Sequence, residues 1–328
     1  MTWLVWRQHR NQAYFAAAAL AALAVLLLIT GPQMASQYHS ALASCAATKT
    51  CGNLAGTLSL GDAPLRVLVT LTLAVPALLG LFWGSPLVAR ELETGTSQFA
   101  WMQSVTRRHW LTVKTGWILL AAAAWGGAVS ALVTWWSGPE NALNQQSFNP
   151  GQFDIQGIVP VGYALFAVAL GIAAGTLARR ALPALAITLG VFAALRMVIA
   201  NYVRPHYMTA ITTTFSPTRP VSTPDGSLWL AQGTVGPNGQ ALQNAWPGLP
   251  IDGKSVSLTN IPAACRALLG QGPLRTISCM SAHGYRGYVT YQPANRYWAF
   301  QGIETGIFVL LAAALIAVTA IVLHRRDA

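Results

Sequence analysis

The chain has 328 residues, of which 54% are hydrophobic and only 9% charged, against roughly 25% charged in an ordinary soluble domain. So few charges cannot coat a soluble protein of this size, and the hydrophobic content excludes a disordered chain. The net charge of +11 raises nucleic acid as a partner, so the positions of the charges have to decide between a polyanion and a bilayer.

A helix needs about 20 mainly apolar residues to cross the hydrocarbon of a membrane. Six stretches meet that requirement, at 13–30, 67–83, 113–136, 158–177, 181–203 and 302–323. Ahead of the first, Trp3, Leu4 and Trp6 alternate with Arg7 and Arg10, a basic aromatic pattern suited to the inner membrane interface. Those arginines before an apolar run also resemble a signal peptide, and Leu42-Ala43-Ser44-Cys45 resembles a lipoprotein cleavage box. The run is long enough to span, however, and the partly polar stretch 31–44 separates it from Cys45, so the first span is read as uncleaved. The second span is the shortest. The fifth carries Arg196, and Glu304 lies at the start of the sixth.

Basic residues orient the bundle. With the N-terminus inside, Arg7, Arg10, Arg90, Arg107, Arg108, Lys114, Arg179, Arg180, Arg325 and Arg326 are internal, while the short outer segments hold Lys49 and Arg66. Both termini are therefore expected in the cytoplasm. The basic balance becomes a topology signal, and no basic run interleaved with aromatics argues for nucleic acid. Cys45, Cys51, Cys265 and Cys279 all fall in outer segments, where disulfides persist. Pairing Cys45 with Cys51 and Cys265 with Cys279 closes the shortest loops, although four cysteines allow three pairings. His283 follows Cys279 by four residues, but no further cysteine or histidine completes a tetrahedral metal set.

Enzymatic motifs fail on context. Gly248 to Ser255 fits the Walker A pattern, with Gly253 and Lys254 in register. A phosphate-binding loop needs a strand before it and a helix after it. The residues before this match form no apolar strand, and Pro250 removes a donor; the match is read as chance. There is no G-x-S-x-G elbow and no H-E-x-x-H pair, and the six histidines are scattered singly. Glu91 and Glu93, two residues apart, would point about 200° away from each other on a helix, a poor arrangement for shared acid–base work.

The inner loop between spans two and three is more informative. Thr96 or Ser97 can cap a short helix, on which Phe99, Met102 and Val105 share one face and Arg107 and Arg108 close the end that favours positive charge. An ordinary interfacial loop would read similarly. The succession Glu91-Leu-Glu93-Thr-Gly95-Thr96, an apolar helix and then Val105-Thr-Arg-Arg108 resembles the inner loop of type 2 ABC exporter permeases. Met1 to Arg10 and Tyr291 to Glu304 resemble an actinobacterial subgroup of that family, and 17 Arg against 3 Lys fits a high-GC genome. The resemblance implies that the loop forms a coupling helix, with Glu91, Glu93, Gly95, Thr96, Phe99, Met102 and Val105 engaging a separate ATPase subunit. It implies two ATPase copies, which carry ATP and Mg2+, and a second permease, identical or different. This chain itself would bind no cofactor and catalyse nothing.

The expected fold is an all-α polytopic membrane protein. Six transmembrane helices carry a disulfide-containing extracellular insertion between helices five and six. Residues 1–203 hold helices one to five with the coupling helix near 91–105, residues 204–300 the extracellular domain, and residues 301–328 helix six and a cytoplasmic tail. Within the insertion a short helix is expected at 261–269 and a strand at 288–291, with 205–250 Pro-, Gly- and Thr-rich. Tyr297, Trp298 and Phe300 suit an aromatic belt. Arg196, roughly 10 Å below the outer end of its span, is expected to pair with Glu304 at a gate; snorkelling of Arg196 to headgroups is the alternative. Gly171 and Gly175 form a small-x-x-x-small pair that admits a close helix neighbour, in this subunit or another. With few charges in the spans, the cargo is expected to be apolar or amphipathic: a drug, antibiotic or lipid. The rival reading is a membrane sensor or assembly factor with a ligand-binding outer domain. A secondary transporter would want more acids within the membrane.

Overall fold

Six helices are long and apolar enough to cross a membrane: Arg10–Gln37, Thr70–Arg90, Thr112–Trp136, Val159–Ala178, Ala181–His206 and Ala294–Arg325. The computed structural model describes residues 2–48, 63–93, 107–138, 148, 150–216, 226–239, 241–243, 263–268 and 273–325. The chain divides into two units, one formed by Met1–Arg204 with Trp298–Ala328 and the other by Pro205–Tyr297.

The first unit holds the membrane helices. Helix α1 runs unbroken over Thr2–Thr48, about 70 Å at 1.5 Å per residue. The basic segment 3–10 is therefore the start of the same helix and not a separate interfacial piece. The second span is built from α2 (Ala63–Leu79), a π-turn (Gly80–Gly84) and α3 (Ser85–Glu93). The third is α4 (Arg107–Trp136). After the short α5 (Pro150–Phe153) come α6 (Val159–Ala178) and α7 (Ala181–Val198), which ends in a second π-turn at Ile199–Val203.

Both π-turns have the same cause. Ser85 donates its N–H to Gly80 O, and Arg204 donates to Ile199 O; the next residue is a proline each time, Pro86 and Pro205. A proline cannot donate to the carbonyl four residues back, and its ring crowds that carbonyl. Widening the preceding turn by one residue relieves the crowding. In the second span the carbonyl that Pro86 cannot serve is Phe82 O, and Gln12 Nε2 of α1 reaches it at 3.3 Å. Helix α1 is tied to α4 as well. Trp125 Nε1 donates to Ala16 O and Trp136 Nε1 to Thr30 Oγ1, each at 3.0 Å.

Helix α6 is the core of this unit, with 78% of its apolar window buried against 6% for the first span. Its neighbour on the glycine face is the second span of the same chain. A Cβ on Gly171 would lie 2.7 Å from Ser85 N, one on Gly175 would lie 2.6 Å from Ser85 O, and one on Gly84 would lie 2.5 Å from Val168 O. Backbone meets backbone with no room for a methyl group, so the close contact anticipated at Gly171 and Gly175 is internal to the subunit. Around it pack Leu79, Trp83, Leu87 and Val88 of the second span with Ala164, Val168 and Ile172 of α6. The sixth span closes the unit as α10 (Tyr297–Arg325).

The second unit corrects the all-α expectation. It carries a four-stranded antiparallel sheet in the order β1-β4-β2-β3, with β1 Ile211–Phe215, β2 Leu228–Val235, β3 Ala241–Gln243 and β4 Arg286–Gln292. Three of these strands lie in the Pro-, Gly- and Thr-rich stretch 205–250, where no strand was expected. Strand β4 pairs Ile211 with Tyr291 on one side and Leu228 with Gln292 on the other, with a bulge near Trp229. Gly287, Val289 and Tyr291 alternate as its buried face. Two short helices, α8 (Ala263–Arg266) and α9 (Pro273–Ala282), are joined by the Cys265–Cys279 disulfide over a small core containing Met280.

The glycine contacts make a direct prediction. Gly171→Ala should destabilise the protein in detergent by about 1–3 kcal/mol, the usual cost of forcing a methylene into filled space. Gly190→Ala, where nothing lies within 4 Å, should be neutral or stabilising, because alanine is the better helix former. Melting curves of the two variants by size-exclusion chromatography check this; equal melting points would refute the packing described.

Candidate functional site

The segment before α6 is fixed by its neighbours on three sides. Gly157 has φ of +70° and a Cβ there would lie 2.7 Å from Gln301 Oε1, so only glycine fits. Gln301, fully buried on α10, accepts the N–H groups of Ile158 and Val159 at 2.9 Å each and donates to Phe153 O at 3.0 Å. A side chain from the sixth span thereby caps the orphan donors at the start of the fourth. On the α4 side, Ser130 Oγ donates to Gly157 O, and Gly157 N donates to Thr134 Oγ1 at 3.2 Å. Phe153 stacks with Phe148 and Phe148 meets Phe300 edge-on.

This clamp presents Asp154 to the bundle, where four charges meet. Arg204 forms a two-pronged bond to Glu304, Nε to Oε2 at 2.8 Å and Nη2 to Oε1 at 2.7 Å. Its Nη2 also donates to Asp154 Oδ1 at 2.5 Å and to the Tyr163 hydroxyl at 3.2 Å. Arg196 donates from Nη2 to Asp154 Oδ2 and from Nη1 to Leu73 O, both at 2.9 Å. The Tyr163 hydroxyl lies 2.5 Å from Glu304 Oε1 and 3.1 Å from Asp154 Oδ1, two acceptors for its one proton. The Arg196 guanidinium stands 4.8 Å over the Tyr163 ring, and that of Arg204 stands 4.3 Å over Phe153. Side-chain exposure is 0% for Glu304, 4% for Arg204, 10% for Asp154 and 16% for Arg196. Two cations and two anions cancel, so the burial is bearable, and every bond is charge-assisted.

The expected Arg196–Glu304 pair is corrected by this geometry. Each residue belongs to the cluster, but Arg196 takes Asp154 and Glu304 takes Arg204. Helix phase explains the difference. Eight residues separate Arg196 from Arg204, about 80° of rotation on a regular helix. The π-turn absorbs one residue and reduces the offset to about 20°, so both arginines face the same partners. Asp154 lies outside any span.

At the other end of the same helices, α3 is fastened to α6 and α7. The Ser85 hydroxyl lies 3.0 Å from that of Thr188 on α7, both buried. Beyond the glycine contacts with α6, α3 ends at Glu93, whose Oε2 accepts the N–H of Ala181 at 3.3 Å. That is the first residue of α7, where orphan donors and the helix dipole favour a carboxylate. The turn between α6 and α7 is tight, with Arg179 in the left-handed region at φ 53°.

Of the expected coupling residues, Glu91 and Glu93 therefore close α3. Gly95, Thr96, Phe99, Met102 and Val105 lie outside the described residues, as do Cys51, the Cys45 side chain and the Walker-like stretch 248–255. In the structure Cys265 and Cys279 are bonded to each other. Sequence reasoning passed over Asp154, Arg204, Tyr163 and Gln301; the available signal was that Asp154 is one of only 9 acidic residues and stands next to a span.

Removing one member of the cluster should cost more than removing a pair. Arg204→Met leaves Glu304 buried without its cation, a loss of about 3–5 kcal/mol. Adding Glu304→Met leaves the Asp154–Arg196 pair intact and should recover much of it. Thermal unfolding of the single and double variants decides; a single variant as stable as the parent would contradict the cluster.

No curated protein and no solved structure matches the chain. Residues 17–204, more than half of the chain and including α3 with its contacts to α6 and α7, match the family model described as ABC-2 membrane transporter related, and the protein belongs to that ABC-2 permease family.

Proposed function

We propose that the chain is the membrane subunit of an ABC exporter that moves an apolar or amphipathic molecule, such as a drug, antibiotic or lipid, out of the cell. Two such permeases, alike or different, work with two copies of a separate ATPase that carries ATP and Mg2+. The protein sits in the cell membrane with both termini in the cytoplasm, which places 94–106 inside and Pro205–Tyr297 outside. An oxidising exterior suits the Cys265–Cys279 disulfide.

One observation carries this reading: α3, the helix that leads into 94–106, is locked to α6 and α7 through Gly171, Gly175, Ser85–Thr188 and Glu93–Ala181. A push on the coupling segment, 91–105, is passed to α6 with no side chains between the backbones to yield, and to α7 through the Ser85–Thr188 and Glu93–Ala181 bonds. Those two helices carry Tyr163, Arg196 and Arg204 at their far ends. ATP binding closes the ATPase pair and displaces the segment. The displaced helices then strain the ion cluster, which acts as the latch of the outer gate. Among the described residues, both acids of the cluster, Asp154 and Glu304, are already neutralised by arginines, which speaks against ion-driven transport. The second reading, a sensor with a ligand-binding outer domain, draws on the separate sheet and small core of Pro205–Tyr297.

Co-purification separates the two readings, since an ATPase subunit should accompany the tagged native protein. In the reconstituted complex, Gly95→Pro and Glu91→Lys should leave ATP hydrolysis running while cargo transport falls by roughly tenfold or more, about 1.4 kcal/mol of lost coupling. Normal transport per ATP in both variants would overturn the role given to 91–105.

A further inference from the structure

The unit Pro205–Tyr297 contains a chemical group that transport does not use. Cys265 is fully buried on α8, Cys279 is half-buried on α9, and exposed His283 follows one helical turn after Cys279. The His283 Nδ1 lies 3.8 Å from both sulfurs. The ligand atoms of the three residues are all within 4.8 Å of one another. While the sulfurs are bonded to each other they offer no thiolate, and the set cannot hold a cation.

We propose that reduction of the Cys265–Cys279 disulfide turns this cluster into a Cys2His binding site for a thiophilic divalent cation of the zinc class. In the reductive step a dithiol donates two electrons and two protons. The S–S bond breaks to two thiols and the reductant closes to its own disulfide. The cation then binds both sulfurs and displaces their two protons to solvent.

The backbone is already placed for both states. The two Cα atoms are 5.8 Å apart. Two sulfurs on one tetrahedral cation, each at about 2.3 Å from it, lie about 3.7 Å from each other, a separation that rotation about the Cα–Cβ bonds supplies. His283 now donates from Nδ1 to Cys279 O at 2.8 Å; turning the ring off that carbonyl frees the nitrogen as third ligand. The exposed His283 side leaves a fourth position for water, the arrangement of an open zinc site. Two thiolates cancel the charge of the cation, so a neutral centre rests against buried Cys265 and Met280. A groove of about 480 Å³ lined by Leu268, Arg275, Ser278 and Cys279 gives a reductant its approach to Cys279.

The test uses the full chain in detergent with Cys45→Ser and Cys51→Ser, so that only these two cysteines remain. The protein is reduced with dithiothreitol, freed of reductant without air, and titrated with Cd2+. The reduced protein should bind one Cd2+ per chain with thiolate-to-cadmium absorption, and the oxidised protein none. His283→Ala should weaken binding by roughly tenfold or more. No binding after reduction, or equal binding by the His283→Ala variant, overturns the proposal. So does a red shift of tryptophan emission on reduction alone, because the site requires the unit to stay folded.

Discussion

Arg204 is buried with a charge that never leaves at accessible pH, and the first unit is arranged around satisfying it. An arginine has five donors in a fixed fork. Here two go to Glu304, and the same guanidinium reaches Asp154 and the Tyr163 hydroxyl. Glu304 is delivered by the sixth span, Tyr163 by the fourth, and Asp154 by a loop that must itself be held in place. Gln301, Gly157, Ser130 and Thr134 do that holding. The polar residues at this end of the bundle thus form one dependency: the loop is ordered so that its carboxylate can meet two arginines, and the arginines can be buried because it does.

Proline supplies the geometry that makes the arrangement possible. In a bilayer a backbone group that loses its partner has no water to turn to. Pro86 and Pro205 each deprive one carbonyl of its helical donor, and each is preceded by a π-turn. In the second span the consequence is the bond from Gln12, and Gly80 and Gly84 of the same turn let α6 approach. In the fifth it is a change of phase that carries Arg204 round to Arg196.

The six spans were legible because hydropathy is one-dimensional: a run of apolar residues of the right length needs no knowledge of its neighbours. The Gly171–Gly175 spacing was legible as a close contact, but its partner was not, since spacing on one helix says nothing about which helix faces it. The charge cluster was half legible. Depth along a span placed Arg196 and Glu304 at one level, whereas pairing depends on angle, and the angle was reset by a π-turn whose proline signal was not used. Asp154 was missed because it belongs to a loop. In the second unit the prolines and glycines hid three strands, although Ile211-Thr-Thr-Thr-Phe215 has the β-branched content that favours a pleated surface. The strand expected at 288–291 lies within β4, where Tyr288, Val289, Thr290 and Tyr291 are all types that favour a pleated surface.

The two ends of α6 and α7 differ in the kind of contact they make, and the difference matters for a moving part. At the α3 end the contact with α6 is backbone against backbone, short-ranged and steep, so any displacement of one partner displaces the other. At the far end the contact is charge against charge. Coulomb attraction falls slowly with distance, so an ion cluster can lengthen, admit water and re-form without a large loss at each step. On the transport cycle proposed above, a steep contact suits the place where force would enter, and a shallow one the place where a seal would open and close. Exchanging the two would give a helix pair that slips where it is pushed and jams where it should part.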